Sequence, residues 1–283
     1  MIGIFDSGSG GLSVLREILR ILPKEKYVYY SDNANCPYGE KSVEFIRNRA
    51  REITRLLISK GAQIIVVACN TATAAAISVL REEFPVKFIG MEPAIKPAAL
   101  SSKTGVIGVL ATAGTLKASR YLNIKEMFGD GTKIAEHVGE GFVELVENGI
   151  LDGPEAEETV RKSVLPLVAA GADRIVLGCT HYPFLRKVIE RVAGPGVQVI
   201  DPAPAVARHL AEVMKQEGLL DHEYADVPAA AEPVTEGQVA GEPEAAHPAA
   251  EIELIASGPE LPARRLLDTI ISGHAGRQTA TKS

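Results

Sequence analysis

Short apolar runs rich in Val and Ile alternate along this chain with longer stretches in which apolar residues recur every three or four positions. A short β-branched run without polar alternation marks a strand buried on both faces, and the helical period marks the segments that cover it. The strands so predicted are IGIF from Ile2, KYVYYS from Lys26, QIIVVA from Gln63, VKFIGM from Val86, GVIGVL from Gly105, KIAEHV from Lys133, RIVLG from Arg174, VQVI from Val197 and EIELIAS from Glu251. Leu12, Leu15, Leu19 and Leu22 share one helical face, and SVEFIRNRAREITRLLISKG from Ser42 reads as a long helix closed by Gly61. This alternation specifies an α/β fold with a mostly parallel sheet.

The pattern also repeats. GAQIIVVACNTAT from Gly61 and GADRIVLGCTHYP from Gly171 each place a cysteine directly after a β-branched run, with one 110-residue offset separating both Gly61 from Gly171 and Cys69 from Cys179. Weaker echoes flank them: IGIFDSGSGG at the N-terminus and IGVLATAGT from Ile107, then GMEPA and IDPAP. The chain is therefore expected to hold two similar α/β halves, residues 1–92 and 93–201, with 202–283 returning to the first half. A segment at 221–250, rich in Pro, Gly, Ala and Glu, has too little apolar mass to offset its ordering entropy and is expected to be a disordered loop.

Composition narrows the partners. A chain of 283 residues with a net charge of −6 and no Lys/Arg block is a poor match for nucleic acid or an anionic membrane. No apolar run is long enough to span a bilayer, and the N-terminus lacks a signal-peptide pattern, so a cytoplasmic location is expected. Three cysteines, Cys36, Cys69 and Cys179, are an odd and sparse count, which argues against a disulfide framework, and they read as free thiols.

Candidate chemistry collects after the strands, because in a parallel α/β sheet the ligand crevice lies beyond the strands' carboxyl ends. Asp6-Ser7, Asp32, Cys69-Asn70-Thr71, Glu92 and Cys179-Thr180-His181 all occupy such positions. The turn DSGSGG lets backbone N–H groups approach an anion at a helix start and suits a carboxylate better than a nucleotide. One cysteine after a strand is ordinarily a small buried apolar residue, but two at repeat-related positions point to reactive thiols on opposite sides of a shared cleft. Cys179-Thr-His181 lacks the paired spacing of a structural zinc site, and no C-x-x-C supports redox chemistry. Acyl transfer by Cys179 and His181 stays open, although it leaves Cys69 without a role. Opposed thiols can also take a proton from one face of a carbon acid and return one to the other.

FDSGSGG at 5–11, PYG at 37–39, ACNTA at 68–72 and GCTHYP at 178–183, in this order, resemble the motifs of the glutamate racemases, over about residues 1–218. The resemblance implies two doubly wound parallel-sheet domains related by pseudo-twofold symmetry, with the active site between them. It further implies cofactor-independent interconversion of L- and D-glutamate for peptidoglycan synthesis in the cytoplasm, by a homodimer that uses no metal. On the same basis Cys69 and Cys179 are the two acid/base groups, assisted by Asp6 and His181. Ser7, Tyr38, Gly39, Asn70, Thr71 and Thr180 hold the substrate together with Asp6 and His181. Glu147 in LVENG matches a glutamate near the site, with Glu144 a nearby rival. Aspartate racemases share the two cysteines but more often resemble GCTE at the second motif. Cys36, beside PYG, is given no role, and a binding protein that kept the fold is the reading from another class.

Overall fold

In a computed structural model, described for residues 1–128, 131–220 and 250–279, the strands are parallel and form two sheets. The first half runs β1 (Ile2–Asp6), α1 (Leu12–Ile21), β2 (Lys26–Ser31), α2 (Val43–Ser59), β3 (Ile64–Val67), α3 (Asn70–Glu83) and β4 (Lys87–Gly90). The second runs α4 (Ile95–Ser101), β5 (Val106–Ala111), α5 (Ala113–Lys117), α6 (Ser119–Phe128), β6 (Lys133–Val138), α7 (Phe142–Glu147), α8 (Pro154–Ala169), β7 (Arg174–Gly178), α9 (Arg186–Ala193) and β8 (Gln198–Ile200). The chain then continues through α10 (Ala203–Gln216), β9 (Glu251–Ala256) and α11 (Leu261–Thr279). Residues 221–249, most of the expected disordered loop, lie outside the described residues.

The first sheet has the order β4-β3-β1-β2-β9 and the second, read from its far edge, β8-β7-β5-β6. Position for position, β5, β6, β7 and β8 repeat β1, β2, β3 and β4, so the echo seen in the sequence is a repeat of topology. In each half the chain leaves its central strand to one side and then returns to the other. This switch in direction opens a crevice between β1 and β3 and again between β5 and β7. Register sets what stands there: Phe5 pairs with Val67, and Ala111 pairs with Gly178. Ser7 and Cys69 therefore emerge side by side in one half, and Thr112 and Cys179 in the other.

Each sheet is covered on both faces. Ile2, Ile4, Ile64 and Val66 pack towards α1 and α10, whereas Phe5, Val28, Ile65 and Val67 face α2 and α3. Leu12, Leu15 and Leu19 of α1 and Leu22 just past its end are all buried, which at about 1.5–3 kcal/mol each makes this segment one of the main anchors of the core. Phe142, Ile175, Leu177 and Leu185 of the second half join the same apolar cluster, so a continuous core underlies the crevices. Ser42 caps α2 by accepting a hydrogen bond from the Phe45 N–H at 3.2 Å. Gly61 ends that helix region with φ +95°, a conformation that costs an L side chain about 1–2 kcal/mol.

Candidate active site

The two crevices meet in one narrow cavity, about 270 Å³ of unfilled space, walled by Ser7, Cys69, Asn70 and Thr71 on one side and Thr112, Cys179, Thr180 and His181 on the other. Pro37, Tyr38, Gly39 and Val143 complete the wall. Both thiols are buried.

Cys69 is the N-cap of α3, its sulfur accepting the Ala72 N–H at 3.4 Å and lying 3.8 Å from the Ser7 hydroxyl. Burial is the main reason its thiol is pushed far up from the usual cysteine range, and the neighbouring Asp6 charge adds to this. Asp6 is fully buried at the end of β1, where Oδ2 accepts the Gly11 N–H at 2.7 Å and the Thr180 hydroxyl at 3.3 Å. Its Oδ1 has no partner. Burial raises the Asp6 carboxyl above the ordinary carboxylate range despite the opposing charge of His181 and the Gly11 bond. A thiol and a carboxyl that both hold protons tightly thus stand next to one another.

The other wall is built from a chain of bonds. His181 Nδ1 lies 3.7 Å from the Cys179 sulfur, and its Nε2 lies 2.7 Å from Glu147 Oε1. Glu147, at the end of α7, accepts from the Ser9 N–H at 2.7 Å and the Ser9 hydroxyl at 2.9 Å. Burial works to lower the His181 pKa, but bonds to Cys179, Cys36 and Glu147 outweigh it and hold the imidazole well above the usual histidine value. Burial likewise opposes ionisation of Glu147, and its bonds from His181 and Ser9 overcome that and keep the carboxyl below its usual range. Both shifts favour the charged forms, so the pair leans towards imidazolium and carboxylate, with the ring next to Cys179.

Most of the residues predicted from sequence line the cavity, with Asp6 one layer beneath. Asn70 stands out: its amide is buried and neither Nδ2 nor Oδ1 has a partner, which leaves a donor and an acceptor for a polar ligand. Tyr38 differs from expectation in one respect, since its hydroxyl is given to Asp32 at 2.5 Å, so it meets the cavity through its other atoms. Asp32 and Glu92, at strand ends, stand outside the wall; the first is gripped by Arg49 and the second by Arg120. Glu144 is exposed, whereas Glu147 holds His181.

Sequence reasoning missed three neighbours. Thr112, hydrogen-bonded to Thr71 at 3.0 Å across the cleft, was visible only as the echo of Ser7 in IGVLATAGT. Ser9 sat inside DSGSGG without being singled out. Cys36, considered without a role, brings its sulfur within 4.8 Å of ligand atoms of Glu147 and His181.

A family model described as Asp/Glu/Hydantoin racemase matches residues 2–210. The glutamate racemase of Methylococcus capsulatus is 50% identical over 224 residues, 79% of this chain and 83% of that protein. A crystal structure of a glutamate racemase from Bacillus anthracis is similar at a TM-score of 0.78 and 30% identity, over 96% of this chain and 94% of that one. The Escherichia coli glutamate racemase, in complex with L-glutamate and the activator UDP-MurNAc-ala, is similar at 0.76 and 31% identity, over 96% and 94%. Fold and relatives together define the class, an isomerase that racemises amino acids. The chain belongs to the Asp/Glu/Hydantoin racemase family.

Proposed function

We propose that this protein interconverts L- and D-glutamate without a cofactor, by passing the α-proton between Cys69 and Cys179, and so supplies D-glutamate for peptidoglycan. The observation that carries the mechanism is the pair of repeat-related buried thiols on opposite walls of one narrow cavity. The substrate assignment rests on relatives at 45–50% identity that are glutamate racemases and on the bound L-glutamate of the E. coli enzyme.

In this reading one sulfur, as thiolate, takes the α-proton while the other, as thiol, delivers its proton to the opposite face. One turnover leaves the substrate inverted and the two sulfurs with exchanged protonation. Asp6 receives or returns a proton beside Cys69, and imidazolium His181 does so beside Cys179. Ser7, Asn70, Thr71, Thr180 and the backbone around Gly39 hold the carboxylates and ammonium. Fixed donors of this kind stabilise the carbanionic transition state where no conjugated ring delocalises it. Glu147 orients His181 and keeps it charged. The same reading makes the protein a cytoplasmic homodimer; among the described residues no helix is long and apolar enough to cross a membrane.

The test is L-glutamate in D2O with purified protein and no added cofactor, followed by proton NMR at the α position and by optical rotation. Loss of both the α-proton signal and the rotation is the expected result. Exchange with aspartate but not glutamate overturns the substrate, and no exchange with any amino acid overturns the reading.

A further inference from the structure

Cys36, Glu147 and His181 come from three separate parts of the chain: the loop after β2, the end of α7 and the turn after β7. Their sulfur, carboxylate and imidazole ligand atoms nevertheless all lie within 4.8 Å of one another. We propose that this cluster is a zinc site, and that the ion occupying it switches the enzyme off by taking His181 and Glu147 out of their hydrogen-bonded chain. The binding half of this inference stands on the cluster alone, and the inhibition half rests on the racemase reading above.

Chemistry favours zinc over the other common divalent ions. A thiolate, an imidazole and a single carboxylate form the mixed sulfur, nitrogen and oxygen set that Zn²⁺ takes, whereas Mg²⁺ and Ca²⁺ need mostly oxygen. Thiolate and carboxylate together carry two negative charges, which neutralise the ion in a half-buried place. The dimensions also suit it, because ligands on a tetrahedral zinc stand roughly 3.4–3.6 Å apart. His181 Nε2 and Glu147 Oε1 are at 2.7 Å, so this pair separates by under an ångström to admit the ion. Ser9, which donates to Glu147 from both its N–H and its hydroxyl, orients the carboxylate as outer partners of metal ligands do. Cys36 and Glu147 are partly exposed, and they give the ion a path in from the surface to the buried imidazole. On binding, Zn–S, Zn–N and Zn–O bonds form, and the Cys36 thiol proton and the proton shared between His181 and Glu147 leave to solvent. The fourth position remains for water or a substrate group.

This arrangement gives Cys36 a role distinct from those of Cys69 and Cys179. No proton in the proposed transfer passes through its sulfur, although its bond helps to hold the His181 pKa up, so the response of each Cys36 variant to zinc is read against that variant's own zinc-free racemisation rate. The experiment uses the full chain freed of metal by a chelator. Zinc binding is measured by equilibrium dialysis, and Co²⁺ is substituted to read the sulfur-to-metal charge-transfer absorption. Racemisation is then followed with added zinc and again after EDTA. Wild type is expected to hold one tightly bound zinc, to show the cobalt–thiolate band, and to lose activity with zinc and regain it with EDTA. Cys36→Ala and Cys36→Ser, each checked for a native circular dichroism spectrum, are expected to weaken zinc binding by about tenfold or more. Both should lose the cobalt–thiolate band and keep racemising in the presence of zinc. Undiminished binding and absorption in both variants, or a wild type that binds no zinc, would overturn the site. Cys36-dependent binding in a protein that racemises nothing would uphold the site and overturn the reading of function instead.

Discussion

Cys69 and His181 show how burial and neighbours divide the labour between two otherwise matched walls. The Cys69 thiol is pushed up by burial and by Asp6, whereas Cys179 has at 3.7 Å an imidazole whose pKa its bonds raise. The two walls are thus chemically unequal although their backbones repeat, and mutants should report this. Cys69→Ser and Cys179→Ser are each expected to cut racemisation by about 10²–10⁴-fold, with α-proton exchange failing mainly from opposite enantiomers. Equal exchange from both enantiomers in both variants, measured by NMR in D2O, would contradict the two-thiol mechanism. Glu147→Gln removes a carboxylate that raises the His181 pKa, so His181 should titrate at lower pH in NMR of ring-labelled protein. The stability linkage follows in sign. His181 has a folded value above its ordinary 6.5, so its contribution is complete below about pH 6.5 and is lost as pH rises through the folded value. Glu147, held below its ordinary 4.5, contributes above about pH 4.5 and loses that contribution as the solution is acidified. Wild type should lose more stability than Glu147→Gln at both ends of this range.

The turn between β1 and α1 does for the element what the thiols do for the site. It runs so close to the other half that a Cβ on Gly10 would lie 2.4 Å from His181 Nδ1, and one on Gly8 would lie 2.3 Å from a Glu147 oxygen. Tyr29 donates its hydroxyl to the Gly8 carbonyl at 2.9 Å and pins the turn in place. Gly10→Ala is therefore expected to displace His181 and cost about a hundredfold in kcat, since misplacement of a reacting group by an ångström carries that penalty. Ser42→Ala, at the start of α2 and away from the cleft, should cost about 1 kcal/mol of stability in urea titration with kcat unchanged. This contrast between two single-atom changes tests whether the glycine turn serves geometry or merely folding.

At the level of the whole molecule, the two halves are tied together at and behind the cavity wall. Ser13, buried in α1, donates its hydroxyl to the Thr180 carbonyl at 2.9 Å, and Thr71 bonds Thr112 and Thr115 across the cleft at 3.0 and 3.2 Å. Ser13→Ala leaves a buried carbonyl without that donor and should cost about 1–3 kcal/mol in urea unfolding. It should also lower kcat, because Thr180 lies between Cys179 and His181, even though Ser13 does not line the cavity. A stability loss with unchanged kcat would show that the halves hold their relative position without this bond.

The sequence by itself determined the strands, the helix between Ser42 and Gly61, the doubled cysteine motif and most of the cavity wall. These are local properties: β-branched runs, capping residues, and motifs in which the reactive group sits within a few residues of the strand that positions it. Only the tertiary structure decided which side chains meet. Glu147 reaches His181 across 34 residues, Ser13 reaches Thr180 across 167, and Cys36 joins both members of the acid–imidazole pair. No periodicity encodes such separations, because they depend on two sheets closing with their carboxyl ends face to face. The Tyr38 hydroxyl shows the converse: its motif marked it for the cleft, and buried Asp32, paired with half-buried Arg49 only in the packed fold, drew it away.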